Sequence, residues 1–528
     1  LVGCDGGLYE TWDHAQTWQY KQNLPITQFY KVSVDNDAPF YNVYGGTQDN
    51  NSLGGPSRTI NNAGILNSDW YITNGGDGFE TQVDPKDPNI VYAQAQYGWL
   101  VRYDRQSGEK IGIQPMPGKA EKAFRWNWDA PLVISNHDHK TLYFAANKVF
   151  KSTDRGNSWK AISPDLTRQL DRNTMKVMGE VQSPDVVMKN KSTTIFGNIV
   201  SMDESPKNKD LLYVGTDDGL VHITTDGGNT WNKKDNFPGI PAMTYVNMLV
   251  PSLHDESTVY AAFNNHKKGD FKPYLLKSTD KGNTWTNIVG NLPERGSVYA
   301  IAEDHENSNL LFAGTEFGLF FTVDGGTNWV QLKSGLPTVG VRDIAVQRRE
   351  NDLVLASFGR GFYILDNYAP LRDLNKETID KKAHVFPIKT ALEYVESNPL
   401  GLRGTGSQGA SHYASPNPEF GATFTYYLKE SPKSLKAQRK EKEKKAKKND
   451  TDIDYPNYNE FVEEDNYEDA YLLFIIKDAS GNEIRKMKTG AGKGINRITW
   501  NLRYPSTSPI RKSHGAVGRY SNPEEGPL

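Results

Sequence analysis

One eight-residue motif recurs along this chain and constrains its fold more than any other feature. It reads STDRGNSW at residues 152–159, TTDGGNTW at 224–231, STDKGNTW at 278–285 and TVDGGTNW at 322–329. A degenerate copy, TWDHAQTW, occupies residues 11–18, with Ala15 in place of the glycine. The Asp can accept backbone N–H groups, the Gly can take positive φ, and the Trp can return to the core. The motif therefore predicts a repeated turn between two antiparallel strands.

The motif belongs to a longer repeat of four short strands. Clear copies of the repeat cover residues 199–234, 246–288 and 300–332, and copies without the motif cover residues 29–58, 82–108 and 341–366. The motif aspartates lie roughly 45 to 70 residues apart, and a four-stranded propeller blade needs about 40 to 50 residues. The sequence thus predicts an all-β fold, a β-propeller over residues 1–371 with seven blades and an N-terminal half-blade.

The aspartate and tryptophan of each intact motif are expected to be structural. These residues are Asp154, Trp159, Asp226, Trp231, Asp280, Trp285, Asp324 and Trp329.

With these motifs the chain resembles the Asp-box, or BNR-repeat, β-propellers, which include sialidases, xyloglucanases and sortilin-type receptors. The segments YGGTQDN, NGGDGF, RWNWDAP, GTDDG and SFGRGFYILD are similar to those of large secreted bacterial proteins of this type. Those proteins are described as glycosyl-hydrolase-like or sortilin-like and often carry a C-terminal sandwich domain. The resemblance implies the fold but no settled activity, because Asp-boxes are structural and occur in enzymes and receptors alike.

The repeat ends near residue 372, and a different strand pattern follows. Residues 420–428, 470–477 and 494–502 alternate apolar and polar side chains, which predicts an immunoglobulin-like or fibronectin-like β-sandwich over residues 372–528. A Lys-rich stretch, residues 429–450, lies between two of these strands. Its interleaved glutamates indicate a solvated, flexible insert rather than a patch for anionic surfaces.

Composition excludes several classes of protein. A formal net charge of −3, from 61 basic and 64 acidic residues, argues against nucleic-acid binding. No apolar run approaches the roughly 18 residues of a transmembrane segment. The single cysteine excludes an internal disulfide and a cysteine-based metal site.

The first residues have the layout of a blade. Residues 1–4, LVGC, imitate a lipoprotein cleavage site, but no signal segment precedes them. Residues 3–13 match the layout of residues 215–226, so Cys4 corresponds to Thr216. We therefore expect the chain to open in mid-blade, with further sequence upstream.

Strand order predicts which side of the propeller carries function. Turns between first and second strands, and between third and fourth strands, emerge on one side, and all other connections emerge on the opposite side. Carboxylates, amides, aromatic rings and arginines converge on that opposite side, a mixture suited to sugars. The predicted ligand-binding residues are Gln48, Asp49, Asn50, Asp77, Arg125, Trp126, Trp128, Asp217, Asp218 and Arg360.

Two histidines resemble a metal-binding pair but lie on the other side. Alignment of the repeats places His137 and His139 in a variable first-to-second turn. The sequence therefore predicts neither a metal centre nor a cofactor.

Two classes of function fit this arrangement. A xyloglucanase-like glycoside hydrolase needs two carboxylates across the scissile bond, and the candidates are Asp49, Asp77, Asp129, Asp217 and Asp218. A sialidase would need an Arg-Ile-Pro signature and an arginine cluster, and the sequence has no Arg-Ile-Pro. Because turn formation explains most of the aspartates, we favour a non-catalytic binding or scaffold subunit, with the glycoside hydrolase as the alternative.

The setting that we expect is the outside of a bacterial cell. Few cysteines, turns rich in Tyr, Trp and Asn, and the appended sandwich favour export to the cell surface or periplasm. The expected partner is a polysaccharide, a peptide or an outer-membrane protein within a larger surface complex.

Overall fold

The computed structural model describes residues 1–4, 6–187, 189, 196–398, 412–507 and 526–528. Contacts divide the chain into two compact units. The first unit comprises Leu1–Arg372 and Glu396–Asn417, and the second comprises Asp373–Val395 and Pro418–Leu528. Among the described residues, no helix is both long enough and apolar enough to cross a membrane.

The first unit opens with a small antiparallel sheet and continues into seven further sheets. The opening sheet contains β1 (Val2–Cys4), β2 (Gly7–Glu10) and β3 (Gln19–Tyr20). Blade 1 contains β4 (Ser33–Val34), β5 (Asn42–Gly46), β6 (Ser52–Pro56) and β8 (Tyr71–Asn74), and β7 (Ile65–Leu66) lies outside it. Blade 2 contains β9 (Gly78–Val83), β10 (Ile90–Ala95), β11 (Trp99–Asp104) and β12 (Lys110–Gly112). Blade 3 contains β13 (Leu132–Ile134), β14 (Leu142–Ala145), β15 (Val149–Ser152) and β16 (Lys160–Ala161), followed by the hairpin β17 (Lys176–Val177) and β18 (Glu180–Val181).

The remaining blades follow the same antiparallel order. Blade 4 contains β19 (Ile199–Glu204), β20 (Leu212–Thr216), β21 (Val221–Thr224) and β22 (Asn232–Lys234). Blade 5 contains β23 (Tyr245–Pro251), β24 (Val259–Asn265), β25 (Asp270–Ser278) and β26 (Thr286–Asn287). Blade 6 contains β27 (Val298–Glu303), β28 (Leu311–Thr315), β29 (Gly318–Thr322) and β30 (Val330–Leu332), and blade 7 contains β31 (Val341–Gln347), β32 (Asp352–Ser357) and β33 (Phe362–Leu365). Short 3-10 helices occupy Asn67–Asp69, Gln96–Gly98, Arg172–Thr174, His266–Lys268 and Ala369–Asp373.

The seven blades form a closed ring. The first strands of consecutive blades contact each other, and β31 of blade 7 contacts β4 of blade 1. Across this seam the Val32 N–H donates to Asp343 Oδ2 at 3.0 Å. The rings of Phe29 and Phe362 stack with their centroids 3.7 Å apart. The predicted all-β propeller is therefore confirmed, since each sheet covers its faces against its neighbours.

The predicted motif turns connect the third and fourth strands of blades 3 to 6. In the first of them, Asp154 Oδ1 accepts the Ser158 N–H at 2.9 Å, and Asp154 Oδ2 accepts the Ser158 hydroxyl at 2.6 Å. Asp226, Asp280 and Asp324 accept the equivalent backbone N–H at 2.8 to 2.9 Å. The motif is thus a turn that its own carboxylate closes.

The motif tryptophans reach back to the preceding blade. The indole N–H of Trp159 donates to the Ile113 carbonyl at 2.6 Å, and that of Trp329 donates to the Ile288 carbonyl at 3.0 Å. Trp231 makes the equivalent bond at 3.1 Å. Each of these motifs therefore closes a turn and also joins two blades.

The second unit is built from short strands and three helices. Its elements are α1 (Lys376–Asp380), β34 (Ala383–Val385), β36 (Ala422–Leu428), α2 (Leu435–Lys448), α3 (Tyr458–Asp465), β37 (Tyr471–Lys477), β38 (Glu483–Gly490) and β39 (Gly494–Trp500). One sheet has the order β34-β36-β39, and the other pairs β37 with β38. Phe474 of β37 contacts Tyr426 of β36, with ring centroids 5.2 Å apart. Two small sheets thus face each other, and the immunoglobulin-like assignment stays a prediction. The strand β35 (Ala414–Ser415) belongs to the first unit, where it pairs with β7.

The Lys-rich insert, residues 429–450, differs from the expected flexible segment. Fourteen of its residues form α2, and the Ser434 hydroxyl caps this helix by accepting the Ala437 N–H at 3.2 Å. Arg439 pairs with Glu443 at 2.6 Å and with Glu464 of α3 at 2.7 Å. The insert is therefore a helix, because its Lys, Glu and Ala residues are strong helix formers.

Candidate functional site

The observed strand order gathers the predicted ligand-binding residues on one side of the ring, here called the upper face. Gln48, Asp49 and Asn50 lie between β5 and β6, Asp217 and Asp218 between β20 and β21, and Arg360 between β32 and β33. Asp77 connects β8 to β9, and Arg125, Trp126 and Trp128 precede β13. All of these connections leave the blades on the side opposite the motif turns.

A pocket of about 440 Å³ opens among the turns of blades 2 to 5. It combines aromatic rings, methionines, amides and charged groups, and among the predicted residues Trp126, Trp128 and Asp217 contribute to it. Its lining residues are Tyr97, Trp126, Asn127, Trp128, Met175, Phe196, Asp217, Met243, Tyr245, Asn264, Asn265, Lys267 and Lys268. We call it the upper pocket.

The two tryptophans of the upper pocket have different surroundings. Trp126 is only 8% exposed, and it stacks on Phe144 with ring centroids 4.8 Å apart. Trp128 meets Tyr97 edge to face at 5.3 Å, and its buried indole N–H lacks an acceptor among the described residues. Trp126 is therefore part of the blade core, while Trp128 retains an unused hydrogen-bond donor.

Asp217 is a buried carboxylate at the edge of the upper pocket. Its Oδ1 accepts the N–H groups of Gly197 at 3.1 Å and Asn198 at 2.8 Å. Its Oδ2 accepts the Asn198 side-chain amide at 3.1 Å. Burial raises the pKa of Asp217 to about 6, and the Asn198 donors oppose that shift.

Asp218 holds its loop and does not line the upper pocket. Its side chain is fully buried. Oδ1 accepts the Thr216 hydroxyl at 2.6 Å, and Oδ2 accepts the Arg168 N–H at 2.8 Å. One oxygen is thus engaged within the turn, and the other binds the segment that follows blade 3.

Asp49 and Asp77 form a carboxyl pair between blades 1 and 2. The Asp49 N–H donates to Asp77 Oδ1 at 2.7 Å, and the two carboxyl groups also hydrogen-bond. Burial, and then the neighbouring Asp49 carboxyl, raise the pKa of Asp77. A direct contact is closer than the roughly 5 Å or more that separates glycosidase carboxylates. Beside the pair, Gln48 Oε1 accepts the Tyr30 hydroxyl, and Asn50 donates to the Gln48 carbonyl at 3.1 Å.

Asp129 lies behind Tyr245, on the axis of the propeller. Tyr245 lines the upper pocket, and its hydroxyl hydrogen-bonds to the Asp129 carboxyl. Burial raises the pKa of Asp129 to about 6, and the nearby Lys31 ammonium lowers it. Asp217 also acts electrostatically on Tyr245. Tyr245 is thus flanked by two carboxyl groups whose pKa values are raised.

The structure also reveals a polar central channel that the sequence interpretation missed. This cavity of about 360 Å³ is lined by the first strands of all seven blades, with Lys31, Glu80, Asp129, Asp203 and Asp343 among its residues. Burial raises the pKa of Glu80 to about 8 and that of Asp203 to about 7. The available signal was an acidic residue within the first strand of a blade, as Glu80 in GFETQV and Asp343 in VRDIAVQ.

The two arginines predicted to bind ligand differ in their contacts and exposure. Arg125 pairs with Asp165 at 2.8 Å and donates to the Gly197 carbonyl at 3.0 Å, so it fastens neighbouring loops together. Arg360 is exposed at the tip of its turn, where its backbone N–H donates to the Ser357 hydroxyl at 3.2 Å.

His137 and His139 have separate partners. His137 Nε2 contacts the Ser205 carbonyl at 2.9 Å, and His139 Nδ1 contacts Asp84 at 2.8 Å. Within the described ranges, no group of three or more His, Cys, Asp or Glu side chains is arranged to hold a metal ion.

Several proteins are similar to this chain in sequence. It is 27% identical over 143 residues to a xyloglucanase of Hypocrea jecorina, covering 24% of this chain and 17% of that protein. It is 24% identical over 305 residues to a xyloglucanase of a Paenibacillus species, covering 50% of this chain and 27% of that protein. A xyloglucanase of Acetivibrio thermocellus is 29% identical over 139 residues, which is 24% of this chain and 16% of that protein. The chain thus spans less than a third of the length of these relatives.

Solved structures give a looser similarity. A GH74 enzyme of Niastella koreensis aligns with a TM-score of 0.44 and 15% identity, over 66% of this chain and 53% of that one. A GH74 xyloglucanase of Xanthomonas campestris aligns with a TM-score of 0.45 and 17% identity, over 69% and 55%. No protein-family model matches the chain. The relatives in sequence described above are all named xyloglucanases.

Proposed function

We propose that this protein is a glycoside hydrolase that acts on a polysaccharide bound across the upper face. The observation that carries the proposal is the upper pocket, where aromatic walls surround Tyr245 and two carboxyl groups with raised pKa flank that residue. Aromatic rings stack on sugar rings, and amide and carboxyl groups bind sugar hydroxyls. The relatives named xyloglucanases add support from sequence.

The proposed chemistry divides between Asp129 and Asp217. Glycoside hydrolysis needs one carboxylic acid that protonates the leaving oxygen and one carboxylate that acts on the sugar or on water. Asp129 fits the acid, because burial favours its protonated form and the Tyr245 hydroxyl connects it to the pocket. Asp217 fits the base, since three N–H donors from Gly197 and Asn198 favour its ionised form.

The proposal also places the protein outside the cell. A polysaccharide is too large to cross a bacterial membrane unaided, so the enzyme must meet it at the surface or in the periplasm. Fractionation of the native producer is expected to recover the protein outside the cytosol, and recovery in the cytosol would contradict this placement.

Release of reducing ends from a panel of polysaccharides tests the proposal. We expect release from at least one β-linked polymer, a loss of roughly a hundredfold or more in Asp129→Asn and Asp217→Asn, and little change in Asp87→Asn. Asp87 is a matched control because it lies in the β9–β10 turn on the opposite face. Saturable binding without release from any polymer would instead indicate the non-catalytic binding protein that the sequence first favoured.

A further inference from the structure

A second polar group on the upper face, Arg342, lies among the turns of blades 5 to 7, away from the upper pocket. Its guanidinium carbon lies 4.0 Å from the centre of the Tyr299 ring and 4.2 Å from the centre of the Phe358 ring. At these distances both rings contact the guanidinium group. A guanidinium in contact with aromatic rings can still donate N–H groups from its edge to a hydrogen-bond acceptor.

The guanidinium of Arg342 lacks the carboxylate partner that other arginines of the propeller have. Arg125, Arg155 and Arg372 lie 2.7 to 3.0 Å from carboxylate oxygens. No ion pair joins Arg342 to a carboxylate in the part of the chain that the structure describes, and its buried Nε lacks an acceptor there. The Tyr299 hydroxyl is the polar group beside it. Arg342 is therefore a half-buried cation whose Nε–H has no acceptor among the described residues.

An acceptor without a donor lies in the same neighbourhood. Glu316, in the turn between β28 and β29, has a buried Oε2 with no hydrogen-bond partner among the described residues. Glu316 and Arg342 both act electrostatically on His266 and Tyr299, so both charges lie near these rings. One ligand that carries both an anionic group and a hydroxyl group would satisfy both.

The charges of the other titratable groups around Arg342 are compatible with a bound anion. Burial, and then the Arg342 charge, lower the pKa of His266, so its ring is neutral near pH 7. Tyr30 lies within electrostatic reach of Arg342, Asp77 and Asp49. Asp49 and Asp77 hydrogen-bond to each other, which reduces the negative charge that they present.

Two phenylalanine rings in the turns of blades 6 and 7 are partly open to solvent, and one of them, Phe358, contacts Arg342. Phe317 is 44% exposed and Phe358 is 38% exposed, and both lie in second-to-third turns of adjacent blades. Exposed aromatic rings beside a cation provide a stacking surface for a sugar and a partner for its acidic group.

We propose that Arg342 binds the carboxylate of a uronic acid residue, with Glu316 accepting a hydroxyl group of the same sugar. The substrate of the upper face is then an acidic polysaccharide. This inference rests on the proposed function, because it assumes that a glycan crosses this face. The proposed ligand is negatively charged, whereas xyloglucan is neutral, so the two belong to different chemical classes.

Titration calorimetry with matched polymers tests the inference. The probes are polygalacturonate, the same polymer with its carboxyl groups methyl-esterified, and neutral xyloglucan. We expect wild-type protein to bind polygalacturonate at least about tenfold more tightly than its methyl ester, because a charge-assisted bidentate contact is lost on esterification. Arg342→Gln should abolish that preference. Arg349→Gln should keep it, since Arg349 lies in the β31–β32 turn of the same blade on the opposite face.

The outcomes separate this inference from the proposed function. Equal affinity of wild-type protein for polygalacturonate and its ester overturns the inference, as does an unchanged preference in Arg342→Gln. If Arg342→Gln does not fold, the comparison of acid with ester on wild-type protein decides alone. Binding of xyloglucan only, weakened by Trp128→Ala, rejects the acidic ligand and retains the proposed function. Binding of none of the polymers by wild-type protein rejects the inference, and release of reducing ends from the wider panel then decides the proposed function.

Discussion

The surroundings of the propeller's aspartates shift the pKa values of these residues in opposite directions. Asp154 lies at the surface, where hydrogen bonds from the Ser158 hydroxyl and backbone N–H lower its pKa to about 2. Asp217 is buried, and desolvation raises its pKa to about 6 despite its N–H donors. The carboxylate of the turn is therefore held in its ionised form, whereas burial brings the pKa of the pocket carboxylate closer to neutral pH, where a proton-transfer group is most effective.

Asp154→Ala is expected to lower the melting temperature without changing polysaccharide binding. Because the folded-state pKa lies below the unfolded value, the contribution of Asp154 is complete above about pH 4 and is lost as the pH falls towards 2. Melting curves of wild-type and variant protein should thus differ at pH 7 and converge at low pH. Weaker binding by a variant of unchanged stability would reverse the assignment of the two faces.

His222 in β21 is expected to weaken the fold in mild acid. Burial lowers the pKa of His222 to about 4, so the unfolded chain takes up this proton at a higher pH than the folded chain. Stability should fall as the pH drops from about 6.5 to 4, by up to roughly 3 kcal/mol. Denaturant titrations should show a shallower decline in His222→Gln. Parallel pH profiles for the two proteins would contradict this assignment.

Local contacts of single residues were predictable from sequence, and contacts made by ring closure were not. Asp154 bonds to a residue four positions away, so the motif alone indicates its geometry. Asp49 bonds to Asp77 across 28 residues, and Tyr245 meets Asp129 from a different blade. Nothing in the spacing of these residues specifies such pairs. The sequence therefore predicted the face and its residue types, but not which carboxyl groups meet.

Blades are joined by glutamates that end their first strands. Glu303 at the end of β27 accepts the Ser252 hydroxyl at 2.9 Å and the Tyr260 hydroxyl at 3.0 Å, both from blade 5. Glu204 at the end of β19 does the same between blades 3 and 4, with the Tyr143 hydroxyl at 3.0 Å. Each buried carboxylate thus fastens its blade to the preceding one.

Tyrosine-to-phenylalanine substitutions in the second strands test the contribution of this hydrogen bond between blades. Tyr260→Phe should lower the free energy of unfolding by roughly 2 kcal/mol, because it removes a hydrogen bond to a buried charge. Tyr213→Phe is the matched control, since Tyr213 is equally buried in blade 4 but its hydroxyl has no partner among the described residues. Chemical denaturation should separate the two variants. Equal losses would show that the tyrosine rings, and not the hydroxyls, hold the blades.

The helix α2 shows where composition misled the sequence interpretation. The Lys-rich run contains interleaved glutamates, so it was expected to be a solvated, flexible insert. Its Lys, Glu and Ala residues nevertheless favour a helix, and Arg439 fixes it to α3 through Glu464 at 2.7 Å. The pairing partner lies beyond the run itself, which is why the run alone could not indicate it.

At the scale of the whole molecule, repetition in the sequence predicted the ring of blades. Closure of the ring creates the central channel, which the sequence did not indicate. Each blade is a local unit of adjacent strands, so its turns and strand order follow from the repeat. The central channel belongs to no single blade, because all seven blades contribute residues to it. Its charged residues Lys31, Glu80 and Asp343 come from three different blades, so no local pattern in the sequence indicates that they meet.

The same closure makes the seam between blades 1 and 7 a distinctive element of the molecule. Consecutive blades are connected by the chain, whereas blades 1 and 7 meet through side chains and a few backbone bonds. Phe29 stacks on Phe362 at 3.7 Å, and the Tyr41 hydroxyl donates to Asp352 at 3.1 Å. Loss of this packing should therefore open the ring locally before it unfolds the remaining blades.

Phe29→Ala is expected to cost roughly 3 to 5 kcal/mol, as for other buried phenylalanines. Phe29 is 4% exposed, and Phe263 of blade 5, which is fully buried, provides the control Phe263→Ala. Hydrogen exchange at equal destabilisation should distinguish the two variants. In Phe29→Ala, exchange should rise first in β4–β6 and β31–β33, because these strands border the opened seam. Phe263→Ala should leave those strands protected until global unfolding, and equal exchange across all blades in both variants would show that the seam is no weaker than the chain-connected interfaces.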